Sequence, residues 1–137
     1  MRVFLDTNVL VSAFATRGLC ADVVRHVLSE HELIVGEVVL DELCRVLRDR
    51  IKLPPEFILA VEEFLREQEV VPKPRQPSEL PRRDPSDRWV LASALEARVD
   101  VLVTGDRDLL EVAPQTPLTI VDPRGYWSLL LKQRPKK

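Results

Sequence analysis

Val3-Phe4-Leu5-Asp6-Thr7-Asn8-Val9-Leu10 is the stretch on which the fold turns. An apolar run of strand character stops at an acid, and a segment of helical period starts directly behind it. The pattern returns in Val101-Leu102-Val103-Thr104-Gly105-Asp106-Arg107-Asp108, and Glu42 and Asp87 lie between the two. In an open α/β sheet, ligands bind outside the carboxyl ends of the strands, so acids at successive strand ends converge although they are far apart in sequence. Like-charged carboxylates at ~4 Å repel by about 4 kcal/mol at an effective dielectric of 20. A divalent cation or a proton has to compensate, and magnesium or manganese chemistry is the expectation.

Outward from these motifs, short strand-like runs at 3–5, 33–35, 70–71, 101–103 and 118–121 alternate with segments of helical period. The helical segments lie at roughly 7–14, 21–29, 37–50, 55–67, 85–98, 107–112 and 123–131. Such alternation predicts a parallel sheet covered by helices. Proline stands near the start of three of the helices, where its fixed φ is favourable. Pro72, Pro74, Pro77, Pro81 and Pro85 are too dense for regular structure and predict a stiff surface loop leading to Asp84 and Asp87. At 137 residues the chain, 1–137, is expected to form one compact domain.

Hydrophobic residues at 45% and charged residues at 31% suit a soluble globular protein, and the formal charge of -2 gives no overall basic signature of nucleic-acid binding. A polyanion would have to meet a local patch. The candidates are Arg82, Arg83 and Arg88 around Asp87, Arg107 beside Asp106, and the tail Lys132, Arg134, Lys136 and Lys137. Cys20 and Cys44 fall within apolar helical patterns, without zinc spacing, and are expected as buried thiols in a reducing cytosol. No apolar stretch is long enough for a signal peptide or membrane helix, so a cytoplasmic location without a membrane partner is expected. His26 and His31 have no triad or zinc spacing, and neither a nucleophile elbow nor a glycine-rich phosphate loop occurs.

Each acid also has a plain structural use. Asp6 and Asp106 can cap the helices that follow them, and Asp84-Pro85-Ser86-Asp87 has the form of a capped helix start. Asp108 in a first turn suits the helix dipole. Asp41 faces Arg45, and Arg45 faces Asp49, as on a laced solvent face. Glu42 instead falls on an i, i+4 track between Val38 and Val46, and Asp87 shares a track with Leu91, Ala94 and Leu95. Inward-facing acids need a partner or a metal. Asn8 could orient a neighbouring carboxylate. The coincidence of Asp6, Glu42, Asp87 and Asp106 near strand ends carries more weight than any one of them.

Taken together, Val3 to Leu10, Leu40-Asp41-Glu42-Leu43, Asp84-Pro85-Ser86-Asp87 leading into Leu91-Ala92-Ser93-Ala94-Leu95, and Val103 to Leu110 closely resemble the PIN-domain nucleases. The resemblance runs from Phe4 to about Val121, and within the family it is greatest to the small VapC-like toxins of type II toxin–antitoxin pairs. It implies a three-layer α/β/α sandwich with a parallel sheet of order 3-2-1-4-5, and a metal-dependent endoribonuclease using one or two Mg²⁺ or Mn²⁺ ions. It implies catalytic, metal-holding acids at Asp6, Glu42, Asp87 and Asp106, with Asn8 and Thr104 in support. Many members carry a further acid directly after the one matching Asp87. Arg88 stands there, so Asp84 or Asp108 would take that load. Arg83, Arg88 and Arg107 are expected to hold flanking RNA phosphates. An antitoxin segment would lie across the acidic cleft. A homodimer is also implied, with Tyr126, Trp127, Leu129, Leu130 and Leu131 either at its contact or packed as a C-terminal helix on their own sheet.

Three rivals remain. A noncatalytic version of the same fold would bind RNA or antitoxin without cutting. A phosphoacceptor receiver domain is expected to share the sheet order and an acidic site, but it wants an acid pair at the first strand, an acceptor Asp after the third and a Lys after the fifth. Here Asp6 is alone, Pro72 follows the third strand and Asp122-Pro123-Arg124 the fifth. A haloacid-dehalogenase-type phosphatase wants a second Asp where Asn8 stands.

Overall fold

The computed structural model describes residues 1–81 and 83–133. Arg82, Arg134, Lys136 and Lys137, counted above among the basic patches, lie outside the described residues. The elements run β1 (Arg2–Leu5), α1 (Thr7–Ala15), α2 (Leu19–Glu30), β2 (Glu32–Gly36), α3 (Glu37–Asp49), α4 (Pro55–Arg66) and β3 (Glu69–Val71). After the proline-rich loop come α5 (Pro85–Glu96), β4 (Val101–Val103), α6 (Arg107–Val112), a 3₁₀ turn at Ala113–Gln115, β5 (Thr119–Val121) and α7 (Pro123–Gln133).

All five strands are parallel, in the order β3-β2-β1-β4-β5. Val3, Phe4 and Leu5 are 0%, 0% and 1% exposed. Successive strand residues face opposite sides of a sheet, so the central strand is covered on both faces and the architecture is the expected three-layer α/β/α sandwich. Burying each such side chain contributes about 1.5–3 kcal/mol. The receiver alternative falls here, because that fold orders its strands 2-1-3-4-5 and the expected sharing of sheet order does not hold.

Order 3-2-1-4-5 sends the chain left from β1 to β2 and right from β1 to β4, so the carboxyl ends of β1 and β4 flank the point where strand order reverses. Phe4 pairs with Ile34 on one side and Leu102 on the other, which sets Asp6 level with the Thr104-Gly105-Asp106 turn. Gly36, at the end of β2, lets α5 approach closely: a Cβ there would stand 2.7 Å from Ser93 Oγ and 2.8 Å from Phe4 Cζ.

The setting of α3 differs from expectation, and α7 follows one of its two expected alternatives. The buried stripe of α3 is Val39, Leu40, Leu43 and Leu47, while Val38, Glu42 and Val46 lie half-buried on its flank. Among the described residues no ion pair joins Asp41, Arg45 and Asp49; Asp49 pairs with Arg48 at 2.9 Å instead. In α7, Tyr126 is wholly buried and its hydroxyl lies 2.7 Å from His26 Nδ1. Trp127, Leu129 and Leu130 pack against the core, and Leu131 alone of the five proposed contact residues is exposed. The helix therefore packs on its own chain. No helix among the described residues is long and apolar enough to cross a membrane.

Candidate metal centre

The site is built by helix caps. Asp6 leaves β1 and caps α1, its Oδ1 accepting from Thr7 N at 2.7 Å. Asp84 caps α5, accepting from Ser86 N at 2.9 Å, and Asp106 caps α6, accepting from Asp108 N at 2.8 Å. Each cap satisfies a helix N–H that would otherwise have no partner, and each fixes a carboxylate at the carboxyl edge of the sheet.

Asp6 is 3% exposed and Thr104 is fully buried beside it. Thr104 Oγ1 donates to Asp6 Oδ2 at 2.7 Å and accepts from Asp106 N at 3.0 Å, so one hydroxyl locks two of the acids together. Asn8 Nδ2 donates to Asp6 Oδ2 at 3.1 Å, while Asn8 Oδ1 accepts from Gly105 N at 2.8 Å. Burial, and then the charges of Glu42 and Asp106, push Asp6 up to about 6 against the hydrogen bonds from Thr104 and Thr7.

Asp87 is 6% exposed, and its Oδ2 has no hydrogen-bond partner. Asp84, Asp87 and Asp106 each offer a carboxylate oxygen, and these lie within 4.8 Å of one another. Burial, then Asp106, Asp84 and Asp6, push Asp87 up to about 8. A buried carboxylate oxygen facing further carboxylates, with no hydrogen-bond partner, suits a hard cation that binds oxygen ligands and displaces the proton. The donor set fits a magnesium- or manganese-class ion.

Asp6, Asp84, Asp87, Asp106 and Glu42 all line one cleft of about 600 Å³. Glu42 reaches it from α3, and Ser86 Oγ lies 3.5 Å from its Oε2, the outer limit of a hydrogen bond. Asp108 does not line the cleft and lies 3.7 Å from the exposed Arg83. The three arginines expected to face RNA do not line it either. Arg88 turns to the proline-rich loop: its Nε donates to Ser78 O at 2.7 Å, and Ser78 N returns a bond to Arg88 O at 2.9 Å. The basic residues at the cleft are Arg45, expected on a solvated helix face, and Arg50. Arg45 stands three residues from Glu42 and shares its helix face, so the setting of α3 that brings Glu42 to the cleft brings Arg45 with it.

The sequence signature described as the PIN domain matches residues 2–108. Among solved structures, DNA-bound VapBC from Salmonella typhimurium has a TM-score of 0.64 at 21% identity, covering 90% of this chain and 98% of that one. VapBC-1 from nontypeable Haemophilus influenzae has a TM-score of 0.61 at 22% identity, covering 90% and 99%. VapBC2 from Rickettsia felis, bound to a DNA fragment from its promoter, has a TM-score of 0.61 at 15% identity, covering 89% and 98%. These likenesses are of fold. No curated protein matches the sequence at a significant level. With the PIN signature spanning most of its length on a sheet of this order, the chain belongs to the PIN domain family.

Proposed function

We propose that this protein is a divalent-metal-dependent endoribonuclease and the toxin component of a toxin–antitoxin pair. The observation that carries the reading is the unpartnered, buried Oδ2 of Asp87 among converging carboxylates. PIN-family membership supports nuclease chemistry, and the fold likeness to three VapBC assemblies supports a protein partner.

Asp84, Asp87 and Asp106, whose oxygens converge, would hold the cation with Asp6 beside them, and Glu42 completes the acidic rim. When bound, the ion supplies Lewis-acid stabilisation of charge developing on the scissile phosphate. The chain supplies the frame. Thr104 and Asn8 hold Asp6 in one orientation, and the caps of α5 and α6 hold Asp84 and Asp106. Such preorganisation keeps the carboxylates from rearranging as charge moves.

Cleavage of a labelled single-stranded RNA pool in Mg²⁺, Mn²⁺ or EDTA tests the proposal, comparing wild type with Asp6→Asn and Asp87→Asn. Metal-dependent cutting lost in both variants is the expected result. Cutting that survives EDTA, or survives both substitutions, overturns it. RNA binding without cutting by wild type in either metal would favour the noncatalytic module instead.

A further inference from the structure

The acidic cleft continues sideways. Glu42, Arg45 and Ser86 belong both to it and to an adjoining groove of about 230 Å³, whose far side carries Lys73 and Trp89. Lys73 comes from the proline-rich loop, Trp89 from α5 and Arg45 from α3. Lys73 Nζ lies 4.5 Å from the centroid of the half-buried Trp89 ring.

Two features of this groove suit a nucleotide, its cations and its indole. Five acids repel a polyanion, so a strand entering the cleft needs cations along its approach. Other arginines are committed elsewhere: Arg88 to Ser78, Arg66 to Glu37 and Glu62, Arg48 to Asp49. Arg45 and Lys73 make no ion pair among the described residues, and both line the groove. The indole supplies the remaining part, because single-stranded nucleic acids are held by stacking bases on aromatic rings beside a cationic track.

We propose that this groove seats a nucleotide next to the scissile phosphate, its base stacked on Trp89 and its phosphates held by Lys73 and Arg45. The proposal rests on the endoribonuclease reading and gives the strand a path past Glu42 and Ser86. The base takes the place of the Lys73 ammonium over the ring, and the lysine turns to the backbone. Trp89 then contributes to which bases are accepted at that position.

The test is binding of a short, fluorescein-labelled single-stranded RNA of random sequence, in Ca²⁺, with gels confirming that the probe stays intact. The chain has two tryptophans, Trp89 and Trp127, and Trp127 packs on His26 and Tyr126. RNA should quench indole emission in wild type and in Trp127→Phe, and leave Trp89→Phe unquenched. Trp89→Ala should weaken binding about tenfold and Trp89→Phe should retain most of it. Lys73→Ala should lower the slope of log affinity against log salt by about one phosphate contact. If Trp89→Ala fails to fold, the quenching in Trp89→Phe and the slope in Lys73→Ala still decide. Wild type that binds and cuts RNA with a silent Trp89 and an unchanged Lys73→Ala slope overturns the groove and leaves the nuclease standing. Wild type that neither binds nor cuts removes both.

Discussion

Asp87→Asn probes the electrostatics of the cleft without any substrate. Burial and the neighbouring acids push Asp87 from an ordinary 3.8 up to about 8, so between those values the unfolded chain releases a proton that the folded chain keeps. The metal-free protein therefore loses stability as pH rises from about 4 to 8, and the loss is complete and constant above that. Asparagine carries no charge, and the variant lacks this slope. For a group shut off from solvent, the interval from pH 5 to 8 corresponds to about 4 kcal/mol, at about 1.4 kcal/mol per tenfold change in proton affinity. The cluster opens into the cleft and Asp106 is only half-buried, so solvent screening lowers this to about 1–2 kcal/mol. For a chain of this size that is a shift of about 4–7 °C. The assay is thermal unfolding by circular dichroism in EDTA at pH 5, 6, 7 and 8. The melting temperature of Asp87→Asn relative to wild type should climb by that amount across the series. Mn²⁺ at pH 8 should then stabilise wild type more than the variant. A difference that stays flat from pH 5 to 8 would show that Asp87 ionises freely and would remove the case for a compensating cation.

Mn²⁺ at about a hundred times its dissociation constant should stabilise wild type by about 2.7 kcal/mol in thermal melts, and Asp6→Asn should lose most of that gain. Thr104→Val removes the hydroxyl shared by Asp6 and the Asp106 amide; about 2 kcal/mol of stability should go by urea denaturation, together with most RNA cleavage. Arg88→Ala should cost about 1–2 kcal/mol through the Ser78 carbonyl it leaves unpaired, while the salt slope of RNA binding stays at the wild-type value. Gly36→Ala should destabilise by about 1–3 kcal/mol, because the added methyl meets Ser93 Oγ and Phe4 Cζ; a neutral melt would mean that α5 can shift outward at no cost.

The sheet was legible because strands buried on both faces read as unbroken apolar runs, as Val3-Phe4-Leu5 and Val101-Leu102-Val103 do. Asp6 and Asp106 were legible because they punctuate those runs. The rotation of α3 was not. Val38, Val39, Leu40, Leu43, Val46 and Leu47 cover so much of the helix that several settings bury a continuous stripe, and α3 takes the one built on Val39, Leu40, Leu43 and Leu47. That choice moves Glu42 to the rim rather than the core and swings Arg45 from an expected solvent lacing to the cleft. Arg88 was illegible for another reason. Its partner is the backbone carbonyl of Ser78, in a loop whose path is set by prolines, and no side-chain spacing reports a backbone acceptor.

Helix cap and site residue are two roles that the structure combines in the same acids. Asp6, Asp84 and Asp106 each commit Oδ1 to a helix amide. The cap restrains the carboxylate, and the positive end of the helix offsets part of the cost of gathering like charges. Asp87 lies within the first turn of α5 and caps nothing, which leaves its Oδ2 a buried carboxylate oxygen without a donor. Three capped acids thus build a rigid anionic wall, and Asp87, uncapped and buried, is the member whose charge most needs an ion. The helix starts that make the fold stable are also what hold the acidic site in place.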